Sequence, residues 1–416
     1  MNRSIGFYCL LSVLLSGSLV LGKTVSISSE NNPDLSAVLD SMESYDTLII
    51  RTGIYYGNLI EVDKPVVILG EDGATIDGQS GDEIFIITSN EVVLKNLIIK
   101  NVGVSYIKDR AAIRLNTVSD VQILNNHLVN TFFGIYLQKS NHCLIDGNTV
   151  TGAAEDESKA GNAIHIWQGE RIQVTNNTVH KHRDGIYFEF VDESYIANNQ
   201  SFDNMRYGLH FMFSNDDVYE SNIFRNNGSG VAVMFSRNIT MKNNQFLDNW
   251  GGASYGLLLK EISDGSIKSN LFKANTIGIY AEGANRLEIS ENLFINNGNA
   301  MDMKGNSLDN KVLKNNFIGN TFEVLTNSKS NLNHFEANYW SQYSGYDLDK
   351  DGIGDVPHRP VNLFAIITDK IPAAYMLLHS FLVNMLDVGE RLFPQFIPEQ
   401  LTDNQPRIKP YPYDFN

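Results

Sequence analysis

From about residue 110 to residue 340 the chain repeats one short frame: a small residue, a strand-length run of alternating apolar and polar positions, a polar turn, and an Asn at fixed distance. Gly134 to Asn148, Gly185 to Asn199, Gly208 to Asn222, Gly230 to Asn244, Gly256 to Asn270 and Gly278 to Asn292 each span 14 residues, as do Ala112 to Asn126 and Ala163 to Asn177. The Asn positions run Asn126, Asn148, Asn177, Asn199, Asn222, Asn244, Asn270, Asn292, Asn315 and Asn338, a step of 22 or 23 with two longer exceptions. Those exceptions place loops at 153–161 and near 250–254, both in small and polar residues.

One unit, such as 230–246, holds three short apolar runs separated by polar turns, which is the pattern of one turn of a parallel β-helix. The sequence therefore predicts an all-β, right-handed parallel β-helix of about ten coils of near 22 residues. Alternation sends Ile135, Ile186, Leu209, Val231, Leu257 and Ile279 inward. Val150, Val179, Phe224, Phe246, Phe272 and Phe294, two residues after each Asn, join them. Coils stacked about 4.8 Å apart let the repeated Asn side chains bond in a ladder, and the recurrent Gly supplies a backbone geometry other residues resist. Helical repeats need long stretches of 3.6-residue period, and leucine-rich repeats need dense leucines; neither is present.

The ends read differently. Residues 1–22 open with Arg3, pass through an apolar run and close on Gly17, Ser18 and Gly22, the order of a secretory signal, so export is expected. Residues 23–80 form an N-terminal cap and the first coils, with a small helix over 34–41 and strands at 47–50 and 66–69. The β-helix proper is expected over 81–340, an Asp-rich loop over 341–360 and a helical cap or docking segment over 361–416. Within the last, residues 372–388 suit a helix, with Tyr375, Leu378, Phe381, Leu382 and Met385 among its apolar positions. The stretch is too short for a secure membrane span, so membrane contact is expected only through a partner.

Composition narrows the function. Only Cys9 and Cys143 exist, and Cys9 lies in the signal, so no internal disulfide is expected in the mature chain. A net charge of −16 opposes phosphate backbones and excludes nucleic acid as a partner class, leaving cations, cationic patches or neutral sugars.

Outward positions carry any chemistry. Alignment of the coils puts Tyr136, His165, Tyr187, His210, Ala232, Leu258 and Tyr280 in one column, and Gln138, Trp167, Glu189, Met212, Met234, Lys260 and Glu282 in the next. His210 and Met212 share a strand face at about 7 Å, and Met234 falls beside Met212 one coil on. Imidazole and thioether donors suit Cu(I), with Glu189 and His165 one or two coils away. The same residues also suit an exposed sheet cover or a protein interface. His180 and His182 read as surface turn residues. Asp184, Glu189, Arg206, Asp216 and Asp217 are raw material for a polysaccharide lyase, epimerase or glycosidase, although no carboxylate pair recurs at a spacing that would straddle a glycosidic bond. The run from Asp347 has oxygen donors at loop positions 1, 3, 5 and 9 through Asp347, Asp349, Asp351 and Asp355, Gly352 at 6 and the Ile353 carbonyl at 7, which is calcium-loop spacing; position 12 is His358 rather than Glu. A solvated turn has the same composition.

The run Arg206-Tyr-Gly-Leu-His-Phe-Met-Phe-Ser-Asn-Asp-Asp217, with Gly230-Val-Ala-Val-Met-Phe-Ser-Arg237, Tyr255-Gly-Leu-Leu-Leu-Lys-Glu-Ile-Ser263 and Asn338-Tyr-Trp340, resembles the NosD family of nitrous oxide reductase maturation proteins. The likeness extends over about 53–360. It implies a periplasmic, non-enzymatic partner of an ABC transporter, made of an ATPase and a permease, that works with a copper chaperone to bring copper to the apo nitrous oxide reductase. Under it His210, Met212 and Met234 are expected to meet copper or the chaperone, and residues 372–388 to dock on the permease. The β-helix fold alone also serves sugar-processing enzymes and decides nothing between them.

Overall fold

The computed structural model describes residues 22–31, 33–153, 155–328, 332–361, 364, 367, 376 and 401–413. The signal segment before Gly22 and the docking candidates Tyr375, Leu378, Phe381, Leu382 and Met385 lie outside the described residues.

The chain winds as a right-handed parallel β-helix, as the repeat predicts. Each complete coil contributes one strand to each of three sheets, and every pairing between these strands is parallel. Among the described residues the first sheet has 14 strands, from Thr24–Ile27 to His334–Glu336; the second has 13, from Gly53–Tyr56 to Tyr339–Trp340; the third has 12, from Ile60–Val62 to Phe322–Leu325. The count exceeds the ten coils expected because four first-sheet strands, Thr24–Ile27, Thr47–Ile50, Val67–Gly70 and Val93–Lys95, belong to coils before the one that carries the first ladder Asn. Leu97 stands at the Asn position of the fourth coil and receives the ladder only through its backbone, its N–H donating to Asn126 Oδ1 at 3.0 Å. The expected small helix is Leu35–Asp40, capped by the Asp34 carboxylate at Ser36 N–H. At its other end the Lys64 ammonium donates to the carbonyls of Leu39, Asp40 and Met42.

Inside the tube the predicted columns are buried without exception. Ile135, Ile186, Leu209, Val231, Leu257 and Ile279 face Val150, Val179, Phe224, Phe246, Phe272 and Phe294. Phe246, Phe272, Phe294, Phe317 and Trp340 form a continuous face-to-face pile with centroids 4.1–4.8 Å apart. Such spacing follows from the distance between coils, which a planar ring fills better than a branched chain.

The Asn ladder has a definite bonding scheme. Each Oδ1 accepts from the backbone N–H and the Nδ2 of the Asn one coil before; at Asn199 and Asn222 both contacts are 2.9 Å. Each Nδ2 also reaches the carbonyl of a first-sheet strand, as Asn222 does to Ile196 at 2.9 Å. The ladder ends where Asp403, returned from the C-terminal segment, accepts from Asn338 N, Asn338 Nδ2 and Trp340 Nε1 at 2.9, 3.1 and 3.0 Å. A second ladder, unnoticed in the sequence, runs Asn204, Asn227, Asn249, Asn275, Asn297 and Asn320.

The recurrent Gly serves a different purpose from the one expected. Gly208 and Gly256 have ordinary backbone angles, but a Cβ would stand 2.7 and 2.8 Å from the carbonyl oxygens of Gly230 and Gly278 on the next coil. The column is small because coils touch there. The left-handed geometry is taken instead by the residue before the ladder Asn, including Asn125, Asn176, Asn198 and Asn243, with φ between 51° and 56°.

Asn222→Ala removes acceptors for two N–H groups of Asn199, in a corner closed to water, and is expected to lower stability by roughly 2–4 kcal/mol. Asn226→Ala, at an exposed side chain bonded to Asp203, is expected to change it by less than about 1 kcal/mol. Urea unfolding midpoints compare the two; equal midpoints would show that the ladder contributes nothing special.

Candidate functional site

The third sheet presents its outward face along the strands Phe133–Asn141, Ile164–Glu170, Asp184–Asp192, Tyr207–Met212, Ser229–Met234, Tyr255–Lys260 and Ile277–Glu282. Backbone pairing aligns Tyr136, His165, Tyr187, His210, Ala232, Leu258 and Tyr280 in one row and Gln138, Trp167, Glu189, Met212, Met234, Lys260 and Glu282 in the next, as the sequence predicted. Their burial departs from expectation. The second row is half-buried, but much of the first is shut in, with His165 9% and His210 6% exposed. Aromatic rings at strand spacing cover one another: Tyr136, His165, Tyr187 and His210 follow at centroid distances of 4.4, 4.8 and 4.8 Å, and Tyr207 closes on His210 at 4.8 Å.

Within this pile the two histidines differ. His165 Nδ1 lies 2.9 Å from Asn162 Nδ2. The amide donates, so the imidazole is neutral with its proton on Nε2. Burial, helped by the charges of Arg183 and Arg114, pushes its pKa down to about 3. His210 has both ring nitrogens buried and without a hydrogen-bond partner. Its Nδ1 stands 3.8 Å from Asp184 Oδ2, beyond hydrogen-bond range. Asp184 is fully buried and held in a fork by Arg206, whose Nε and Nη2 donate to Oδ1 and Oδ2 at 2.9 and 2.6 Å. Burial raises the Asp184 carboxyl, but the facing His210 and Arg206 outweigh it and keep the group below the usual carboxylate range.

Met212 is the register partner of both Glu189 and Met234, so the three occupy consecutive coils of one row. The Tyr187 hydroxyl donates to Met212 Sδ at 3.8 Å. The structure thus brings His210, Met212, Met234 and Glu189 into one patch, and separates His165 from it by the ring of Tyr187. Missed in the sequence were Phe190, Phe213 and Phe235. They stack at 5.1 and 5.0 Å on the corner just past Glu189, Met212 and Met234, each 38–45% exposed and each with positive φ. An exposed bulky residue in left-handed backbone is unfavourable twice over. The signal was a Phe following each of those three residues.

Two other expectations change. His182 is buried rather than on the surface, because it starts the second ladder, its N–H donating to Asn204 Oδ1 at 3.1 Å. Asp217 is also buried, at the corner that Asn310 and Asn333 occupy in later coils; its Oδ1 accepts from Ser194 N–H at 2.8 Å.

In the Asp-rich loop Asp347, Asp349 and Asp351 each bring a carboxylate oxygen within 4.8 Å of the others. These oxygens already accept backbone N–H groups: Asp347 from Asp351 and Gly352, and Asp351 from Ile353. Asp355 accepts from Leu348. The loop is pinned to the returning C-terminal segment, where Gly354 and Ile408 bond across to Pro406 and Gly352. His358 points elsewhere, bonding Glu323 at 2.7 Å.

A family model described as "Periplasmic copper-binding protein (NosD)" matches residues 150–345, which contain both rows from His165 and Trp167 onward. Two relatives extend the match: "Probable ABC transporter binding protein NosD" of Pseudomonas aeruginosa, 28% identical over 381 residues (86% of this chain, 87% of the relative), and its namesake in Stutzerimonas stutzeri, 26% identical over 380 residues (86% of each). These three matches support the NosD family for this chain. Among solved structures, the A-module of the mannuronan C-5 epimerase AlgE6 from Azotobacter vinelandii superposes with a TM-score of 0.54 at 14% identity, over 73% of this chain and 87% of that one. At that identity the likeness shows the fold alone. No described helix of this chain is long and apolar enough to cross a membrane.

The buried titratable groups give opposite pH dependences. Burial holds His165 and His182 down at about 3 and about 4, so below pH 6.5 the unfolded chain binds protons that the folded chain refuses, and stability falls as pH drops toward 4. Burial, with Asp192 and Asp216 nearby, raises Asp217 to about 8, so between its ordinary 3.8 and 8 the folded chain keeps a proton the unfolded chain has lost, and stability falls as pH rises. Asp217→Asn retains the Oδ1 acceptor without the ionisation. It is expected to gain stability over the parent by up to roughly 3–5 kcal/mol between pH 4 and pH 8; denaturant unfolding at several pH values checks this, and parallel curves would show that Asp217 is not protonated in the fold.

Proposed function

We propose that this chain is a periplasmic, non-enzymatic scaffold that works with the ATPase and permease of an ABC transporter and takes part in copper delivery by a chaperone to apo nitrous oxide reductase. The observation that carries the reading is the patch of His210, Met212 and Met234: an imidazole with no hydrogen-bond partner beside two thioethers in adjacent coils. One nitrogen and two sulfur donors without net charge match Cu(I), a soft ion that prefers such ligands over carboxylates and water. Copper is cargo here, held briefly and passed on. Glu189 borders the patch and tunes its charge. The stacked edges of Phe190, Phe213 and Phe235 alongside supply an apolar footing for the protein that brings or takes the ion.

The descriptions of the family and of both relatives support the transporter and copper parts of this reading. A carbohydrate-processing enzyme on the same face would need carboxylates free to exchange protons with a sugar. Of the two candidate carboxylates nearest the patch, Glu189 borders it half-buried, whereas Asp184 is fully buried and held in a fork by Arg206.

The Asp347 loop supports a subordinate proposal, a structural calcium ion held by Asp347, Asp349, Asp351, Asp355 and the Ile353 carbonyl. The convergence of three carboxylates favours it. A bound ion would fix the loop against the C-terminal segment that carries Asp403.

Two experiments test these readings. Met212→Leu/Met234→Leu preserves volume while removing both thioethers, and is expected to weaken Cu(I) binding by at least about 10-fold in competition with a chromophoric chelator, and to leave the co-expressed reductase copper-poor. Unchanged affinity and full reductase loading would refute the copper role. For calcium, millimolar Ca2+ is expected to raise the unfolding temperature of the parent and not of Asp347→Asn/Asp351→Asn; an equal response of both chains removes that proposal.

A further inference from the structure

The proposed copper patch poses a geometric problem that its donors alone do not solve. An imidazole binds metal through one nitrogen and must then keep its proton on the other, and the proton needs an acceptor that fixes both the tautomer and the ring plane. His210 sits on the middle of Tyr207–Met212, with Tyr187 and Tyr207 packed on it at 4.8 Å each. Behind it, 3.8 Å from Nδ1, is Asp184 Oδ2. The fork from Arg206 fixes the carboxylate in orientation, and its complete burial leaves no water to compete for the remaining lone pair. A small turn of the imidazole closes the gap to a hydrogen bond, since the ring has no other bond to break.

From this arrangement we infer that Asp184, held by Arg206, is a positioning residue that keeps the His210 proton on Nδ1 and so presents Nε2 as the lone-pair donor to a soft metal ion. The inference rests on the copper reading and adds to it a reason why His210, and not His165, is the ligand. His165 occupies the same row two coils earlier, but the Asn162 amide claims its Nδ1 and leaves the proton on Nε2, the opposite tautomer. One row therefore holds two imidazoles set in opposite senses by their neighbours, one by an amide donor and one by a carboxylate acceptor. Arg206 also lets the carboxylate remain charged in a closed site, because its guanidinium balances the charge that would otherwise stand alone when a cation is absent.

Histidine nitrogen NMR on the metal-free, 15N-His-labelled protein, with the His210 signals assigned through His210→Gln, tests this directly. The parent is expected to carry the His210 proton on Nδ1, and Asp184→Asn, whose amide can itself donate, is expected to shift it to Nε2 and to weaken Cu(I) binding by about 10–100-fold. A parent with the proton on Nε2 overturns the inference, and this result needs no variant, so it stands even if Asp184→Asn does not fold. If the parent binds Cu(I) through His210, Met212 and Met234 while Asp184→Asn binds equally well with an unchanged tautomer, the positioning role falls and the copper reading survives. If the parent does not bind Cu(I) at all, the copper reading fails and this inference fails with it.

Discussion

A buried primary amide in an apolar tube has two donors and an acceptor to satisfy, and the identical amide one coil away is the partner that does so at every turn. The ladder from Asn126 to Asn338 is this constraint repeated, and it sets the register of the whole molecule. A strand slipped by one residue would strand its amide among hydrocarbon and turn its inward aliphatics to solvent. The Phe pile beside the ladder adds contact area but little direction, so the amides specify the stacking and the rings fill it. At the open end the same demand is met by Asp403, whose Oδ2 accepts three donors and donates none, a suitable stop for a chain of donors.

Register carried outward becomes function. Because coils are locked to one another, residues about 22 apart in sequence become neighbours at strand spacing, and a row of side chains is a line of fixed sites. In this chain the line is aromatic and histidine-bearing in one row and carries a carboxylate and two thioethers in the next, over the same few coils. A rigid scaffold suits transient handling of a metal ion, because donors already in place need no ordering on capture. The cost of that order is visible in the same coils, where three exposed phenylalanines adopt left-handed backbone and Asp184 and His210 are kept from water.

The departures from expectation share one cause, the neighbour one coil away. Gly at the repeated position reflects the next coil's carbonyl rather than its own torsion angles. His182, which reads as a turn residue, is buried because the corner it occupies continues as a ladder of Asn. The coil of Val93–Lys95 escaped the ladder count because Leu97 stands where the repeat leads one to expect Asn. In each case the local sequence has the right composition and lacks the information about what lies above and below.

What the sequence determined by itself was periodic: the β-helix, its inward columns, the two insertions, and which residues share an outward row, since a repeat of fixed length and side-chain alternation of period two leave one way to stack coils. What only the tertiary structure decided was the state of each residue within its row. Whether an imidazole is free, as at His210, or engaged, as at His165, depends on Asp184 and Asn162, placed by a neighbouring strand and by a loop. So too does the closing of the tube, because Asp403 lies 65 residues beyond Asn338. Periodicity carries position; contacts between non-repeating residues carry burial, tautomer and charge, and those exist only after the chain has wound.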